Sequence, residues 1–310
     1  MTPRAPAPPA PNDMLVFDRR AVARHRERAA ATLGRHGFLF EEIALRLAER
    51  LDDINRQFPL ILDLGAHDGA LGRLVAAGGR GTGLVSTDLS QHLVARAPGL
   101  RLVADEEWLP FADQSFDLVL SAGSLHWVND LPGTLIQIRD VLKPDGLFMA
   151  SLIGGGTLIE LRQAFLAAEA RVEGAASLHV SPFVDLRDAA GLMQRAGFAM
   201  PVVDLETITV TYADVFALMR DLKGMGEANA LAARRRKPLR RETLLALAEE
   251  YQARFALADG RIPATFEIVT LTGWAPGPDQ PVPKRPGSAK SRLADALGTV
   301  EVGTGEKPGR

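Results

Sequence analysis

The chain has 310 residues, 46% of them hydrophobic, a formal net charge of -2 and no cysteine. Near-neutral charge gives no global pull toward nucleic acid or an anionic membrane. Without cysteine there are no disulfides and no thiolate-held zinc or iron–sulfur group.

No apolar run reaches the roughly 18 residues of a membrane span. The start, "MTPRAPAPPAPND", lacks the apolar stretch of a secretory signal. Residues 1–13 are expected to be a disordered arm, 14–275 a single domain, and 276–310 a disordered tail. Inside the domain, 14–58 reads as a helical cap and 59–152 as a cofactor-binding half. Residues 153–275 read as a second half, with insertions around 172–182 and 224–260.

In chain order, "FDRRAVARHRERAA" (17–30) is a charged helix, then apolar strands alternate with helices. "LILDL" (60–64), "GTGLVST" (81–87), "LRLVA" (100–104), "FDLVLS" (116–121) and "GLFMASL" (146–152) are short, apolar and bounded by turn residues. Helices fit over 70–77, 90–97 and 131–142. Such alternation predicts a parallel sheet covered on both faces. A strand over 261–274 closes the ordered part.

The first strand runs into "GAHDGA", where Gly65 lets the chain turn and Gly69 lets a helix start approach a ligand. Asp88 ends the second strand 19 residues after Gly69, a place for a carboxylate that accepts from ribose hydroxyls. Asp105 and Glu106 follow the third strand, where a carboxylate could hold an adenine amino group. By itself the glycine turn fits a plain strand-to-helix joint equally well.

The succession of strand, "LPF", "FDLV" and "LKPDG" resembles the class I S-adenosylmethionine-dependent methyltransferases. Further stretches are similar to the branch of that superfamily containing the respiratory complex I assembly factors. These are "FDRRAVARHRERAA", "ADEEWLPF", "SLHWVNDLPG", "HVSPF", "LMRDLKGMGEANA" and "PATFEIVTLTGW". That branch acts as protein-arginine hydroxylases on a complex I subunit. It is related to the malonyl carrier protein methyltransferase of biotin synthesis. The resemblance covers residues 14–275 and implies an α/β, Rossmann-like fold: a seven-stranded, mostly parallel sheet with an antiparallel last strand, plus helical cap insertions. It implies S-adenosylmethionine as cofactor, held by Asp63, Gly65, Gly69, Asp88, Asp105 and Glu106. It also implies a complex I subunit as protein partner, and a cytoplasmic location, or the mitochondrial matrix for a eukaryotic source.

His67 departs from the pattern, which has glycine there. It reads as an exposed loop residue, as a contact to the cofactor carboxylate, or as a break in the site. His126 and Trp127 follow the fourth strand and are candidates for the reacting end, and His179 in "HVSPF" is a further one. "RRRKPLRR" (234–241) reads as a solvated face or as a dock for an acidic partner. No metal site and no nucleic-acid partner is expected. Three classes of function stay open: a modifying enzyme of a complex I subunit, a small-molecule or carrier-protein methyltransferase, and an assembly chaperone without catalysis.

Overall fold

Every expected strand forms in the computed structural model, which describes residues 15–174, 177–183, 185–280, 288 and 293–300. The strands are β1 (Leu60–Leu64), β2 (Gly83–Asp88), β3 (Leu100–Val103), β4 (Phe116–Ala122), β5 (Leu142–Ile153), β6 (Ala199–Tyr212) and β7 (Ile262–Trp274). They make one seven-stranded sheet in the order β3-β2-β1-β4-β5-β7-β6. Strands β1 to β5 pair in parallel, and β7 runs antiparallel to both β5 and β6. The order reverses between β1 and β4, a switch point that opens a crevice at the carboxyl ends of the strands.

The alternation of side chains along each strand builds two cores. Ile61, Leu118 and Leu120 face one way, toward α3 (Phe38–Asp52) and α4 (Ala70–Ala77). Leu62, Leu64 and Val119 face the other way, toward α6 (Leu131–Val141) and α8 (Leu186–Arg195). Both faces are covered, so the central strands read as continuous apolar runs.

Strand β6 was not among the strands expected; it lies between the insertions placed around 172–182 and 224–260. Its sequence, "AMPVVDLETITVTY", alternates half-buried and exposed positions because it is the edge of the sheet. It is held by antiparallel pairing to β7 and by ion pairs from Arg46 and Arg50 of α3 to Asp204 and Glu206.

The remaining helices of the first unit are α1 (Arg19–Ala29), α2 (Leu33–His36), α5 (Gln91–Val94), α7 (Ile159–Val172), α9 (Val215–Met225) and α10 (Arg241–Phe255). Residues 278–310 form a second unit, in which a short helix, α11 (Leu293–Leu297), is described. No described helix is long and apolar enough to cross a membrane. The expected arm, residues 1–13, lies outside the described residues.

Candidate functional site

Strand register gathers the expected residues at one edge. Asp63 stands opposite Ser86 and Leu120, and Asp88 opposite Val103, so Asp105 and Glu106 follow within two and three residues. Gly65 has φ +67°, and a Cβ built there would run into the Ser124 hydroxyl and come 2.9 Å from Glu106 Oε1. Glycine at 65 is thus what lets the loop after β4 and the carboxylate after β3 close on the turn.

Gly69 does something else. Its φ is +86° and it caps the start of α4. A Cβ there would meet Ala97 Cα at 2.6 Å and the Pro98 ring, so the missing side chain makes room for residues 97–98. Close approach to a ligand is not what this geometry demands.

His67 corrects the expectation of an exposed loop residue: it is buried. Its φ is +51°, in the left-handed region that favours glycine, which explains why a glycine fits this position in the general pattern. The ring stacks on Phe40 with centroids 4.1 Å apart, and Nε2 donates to the Gly123 carbonyl at 3.1 Å. Burial lowers its pKa and the nearby Arg26 lowers it further, so the ring is neutral. Its Nδ1 is then an acceptor, buried and without a partner. An acceptor suits an ammonium rather than a carboxylate.

The carboxylates are covered by α1. Asp18 caps this helix, accepting from the Ala21 N–H at 3.0 Å. Arg19 and Arg26, seven residues apart on one face, point at the sheet edge. Arg26 Nη1 donates to Glu106 Oε1 at 2.6 Å and to Asp88 Oδ2 at 3.2 Å. Arg19 donates to Asp105, to Glu106 and to the Trp127 carbonyl. Asp88 also accepts from the backbone N–H groups of His67 and Ser90, at 3.1 and 2.8 Å. Burial works to raise the Glu106 pKa, but Arg26 and Arg19 outweigh it and hold the carboxyl down at about 2. Nothing in the sequence reading singled out Arg19 or Arg26; their seven-residue spacing was the available signal.

Asp63 is the opposite case. Burial pushes its carboxyl up to about 7; the Gly72 N–H opposes the rise and Asp88 adds to it. Neither of its oxygens has a well-formed hydrogen bond. Arg26 Nε and Nη2, Arg19 Nε, His67 Nδ1 and His126 Nδ1 are also buried without hydrogen-bond partners. Unsatisfied donors and acceptors gathered at one edge are what a site for a polar ligand leaves when only protein is considered.

Beside this edge, a 3-10 turn (Leu125–Trp127) carries His126 and Trp127. His126 Nε2 donates to Glu227 Oε2 at 3.0 Å, and Trp127 Nε1 donates to the same carboxylate at 2.9 Å. Phe183 packs edge-on against both rings, and Phe17 against Trp127. Sequence reasoning missed Glu227, although it lies in the "GMGEANA" stretch. In "HVSPF" it is Phe183 that reaches His126; His179 instead pairs with Glu169 at 2.7 Å and stacks on Phe165 of α7.

The basic run divides. Arg234 pairs with Asp18 at 2.9 Å and Arg235 with Glu173 at 2.6 Å. Arg236, Lys237, Arg240 and Arg241 are exposed and make no ion pair among the described residues. One His-x-Glu spacing, the opening of a two-histidine iron triad, was overlooked in the expectation of no metal site: His25 and Glu27. Glu27 is engaged by Ser90 and His92.

Residues 62–150 match the model of a methyltransferase domain family. Among solved structures, the YcgJ protein of Bacillus subtilis superposes with a TM-score of 0.51 at 14% identity, over 74% of this chain and 97% of that one, a likeness of fold alone. Strand order and the glycine turn thus define a Rossmann-like protein of the class I methyltransferase fold. Identity extends much further in two relatives. The chain is 41% identical over 288 residues to the mitochondrial arginine-hydroxylase NDUFAF5 of Danio rerio, covering 91% of this chain and 89% of that one. It is 35% identical over 278 residues to the malonyl-[acyl-carrier protein] O-methyltransferase of Gallionella capsiferriformans, covering 85% and 93%. The chain belongs to the arginine-hydroxylase NDUFAF5 family.

Proposed function

We propose that the chain binds S-adenosylmethionine at the carboxyl edge of β1, β2 and β4, and that it modifies an arginine of a respiratory complex I subunit during assembly. What carries the reading is near-full-length identity to an arginine hydroxylase together with the gathering of Asp63, Gly65, Asp88, Asp105 and Glu106 at the switch point. Asp88 would accept from the ribose hydroxyls and Asp105 or Glu106 from the adenine amino group. Asp63 and the acceptor Nδ1 of His67 suit the ammonium end. Gly65 keeps the turn thin enough for the cofactor to lie on it. The cytoplasm, or the mitochondrial matrix in a eukaryote, is the matching compartment.

Because Arg19 and Arg26 engage these same carboxylates, α1 would act as the cap, releasing or sharing them as the cofactor enters. Closure of α1 with the 226–234 segment excludes water from the reacting end. Phe17 pairs with Leu231 across that seam, and the Asp18 N–H donates to the Ala230 carbonyl at 2.8 Å. Bound S-adenosylmethionine supplies an electrophilic methyl group and no oxygen atom, so hydroxylation also calls for an oxidant from outside the chain.

Calorimetric titration of the wild type and of Asp88→Ala tests the cofactor. Equal binding by both, or none by the wild type, overturns it. Mass spectrometry of complex I subunits from a deletion strain tests the reaction, with loss of one oxygen atom from an arginine as the expected result. The kinship to the malonyl carrier protein methyltransferase favours a second reading, methylation of a carrier-bound acyl group, for which biotin auxotrophy of that strain is the sign. Unassembled complex I with no lost modification would point to a chaperone.

A further inference from the structure

Glu227 lies beyond everything assigned above. It follows α9 and Gly226, and its carboxylate is bonded by His126 and Trp127, whose rings form an aromatic cluster with Phe183 and Phe17. Its side chain is only 9% exposed. Burial alone would raise its pKa, but His126, the Trp127 indole and Arg26 together bring it below the usual carboxylate value. A buried anion of this kind needs a cation. Among the described residues the one basic group within 4 Å of it is His126, through Nε2; its other partner, the Trp127 indole N–H, is neutral.

The donors on Glu227 leave a consistent imbalance. His126 Nε2 faces the carboxylate, and the other ring nitrogen, Nδ1, is buried with no hydrogen-bond partner. Around the same edge, five formal carboxylates (Asp88, Asp105, Glu106, Glu107 and Glu227) face two guanidiniums, Arg19 and Arg26. Three negative charges therefore stand in excess. Aromatic faces attract a cation, and a guanidinium brings five N–H donors in a flat fork to a carboxylate. Of these rings Phe183 is the half-buried one, whereas Phe17, Trp127 and His126 are buried, so Phe183 is the side nearest solvent.

The geometry points to Glu227 as the residue that receives the cationic side chain of the substrate, beside the Trp127 and Phe183 rings and the unpaired Nδ1 of His126. Glu227 is thus a specificity residue of the acceptor site. This assignment rests on the reading of the chain as an arginine-modifying protein. In a relative that acts on an acyl carboxylate the same charge would repel the substrate.

The test compares two probes of nearly equal shape. N-acetyl-arginine amide and N-acetyl-citrulline amide are titrated into the full chain, with and without S-adenosylhomocysteine. Binding is followed on the indole N–H signals of the three tryptophans. Substitution of Trp127 by Phe identifies its signal, which reports the bond to Glu227. Arginine amide is expected to move it at roughly tenfold lower concentration than citrulline amide, the scale of one charge-assisted hydrogen bond. Glu227→Gln keeps the shape and one acceptor, and should abolish that preference while S-adenosylhomocysteine affinity stays within about threefold. Equal response to both probes, no response to either, or an arginine preference that survives in Glu227→Gln overturns the assignment. Failures are separable. A preference with no modified complex I subunit sinks the partner and leaves the seat; a modified subunit with no preference sinks the seat alone.

Discussion

Two arginine-rich segments look alike in the sequence and behave differently in the fold. In α1, Arg19 and Arg26 turn inward; Arg26 is 1% exposed, on Asp88 and Glu106. In the 234–241 run, Arg235 keeps 23% side-chain exposure in its pair with Glu173, and the arginines after it face solvent. Composition cannot separate the two cases. What separates them is whether a helix face meets carboxylates that a strand edge has already buried. A guanidinium in the first setting cannot be removed without leaving buried charge behind, whereas Arg236, Arg240 and Arg241 of the second pair with no carboxylate among the described residues.

The largest expected effect breaks the buried side of this contrast. Arg26→Met strands Asp88 and Glu106 in the interior and should lower unfolding free energy by about 3–5 kcal/mol, against at most about 0.5 kcal/mol for the exposed Arg236→Met. Urea titration of both variants measures it; equal losses would erase the distinction. Acid should mimic the first variant. Glu106 titrates near 4.5 when unfolded and at about 2 when folded, so its contribution is complete above pH 4.5 and is lost as pH falls toward 2.

The two glycines of the turn offer a second contrast. Gly65 closes on the site, and Gly69 closes on residues 97–98. Gly69→Val combines a left-handed backbone with a side chain pressed into Pro98. We predict a loss of about 3 kcal/mol from strain and overpacking together. The cofactor loop would then fail through folding. Thermal unfolding distinguishes this outcome: a variant with an unchanged midpoint and no cofactor binding would return Gly69 to the ligand.

How much of this was legible follows from the same geometry. The central strands announced themselves because both faces are buried, and the turn and Asp88 followed from chain order. Strand β6 did not, because an edge strand reads as alternating polar and apolar residues, "DLETITVTY", that a search for buried runs passes over. The carboxylates were found and their partners were not. Asp88 and Glu106 sit at predictable strand ends, whereas Arg19, Arg26 and Glu227 arrive from remote segments whose direction is fixed only by packing. Of the three readings of His67 the exposed one fails, because a loop in sequence is taken as exposed and this loop is roofed by Phe40 of α3.

A third effect uses pH from the other side. Asp63 has a folded-state value of about 7, above the 3.8 of an ordinary aspartate. Between those values the native state keeps a proton that the unfolded chain gives up, so stability falls as pH rises through the window and is flat above it. Asp63→Asn should remove about 1.4 kcal/mol per pH unit from that slope between pH 4 and 7. Denaturation midpoints at several pH values check this. A variant with the wild-type slope would mean that Asp63 is ionised in the fold and partnered after all.

The smallest expected change in stability lies in the exposed half of the basic run, and there the absence of a folding role is the informative part. Arg240 caps α10 and Arg241 begins it. Positive charge at a helix N-terminus opposes the helix dipole, so these two side chains cost local stability. Arg236 and Lys237, just before them, touch no carboxylate among the described residues. Replacing all four by serine or glutamine should therefore shift unfolding free energy by less than about 0.5 kcal/mol, with a gain from the helix end. Arg234 and Arg235 must be left in place, because their pairs with Asp18 and Glu173 tie the run to α1 and α7 and would confound the result. Against that quiet background, complex I assembly in a complemented deletion strain is expected to fall while cofactor affinity is unchanged. Folding would not explain such a loss, and an acidic partner surface meeting these four cations would. Assembly at the wild-type level would make the run a solvated face, and the contrast with α1 would then be between a working cluster of arginines and an idle one.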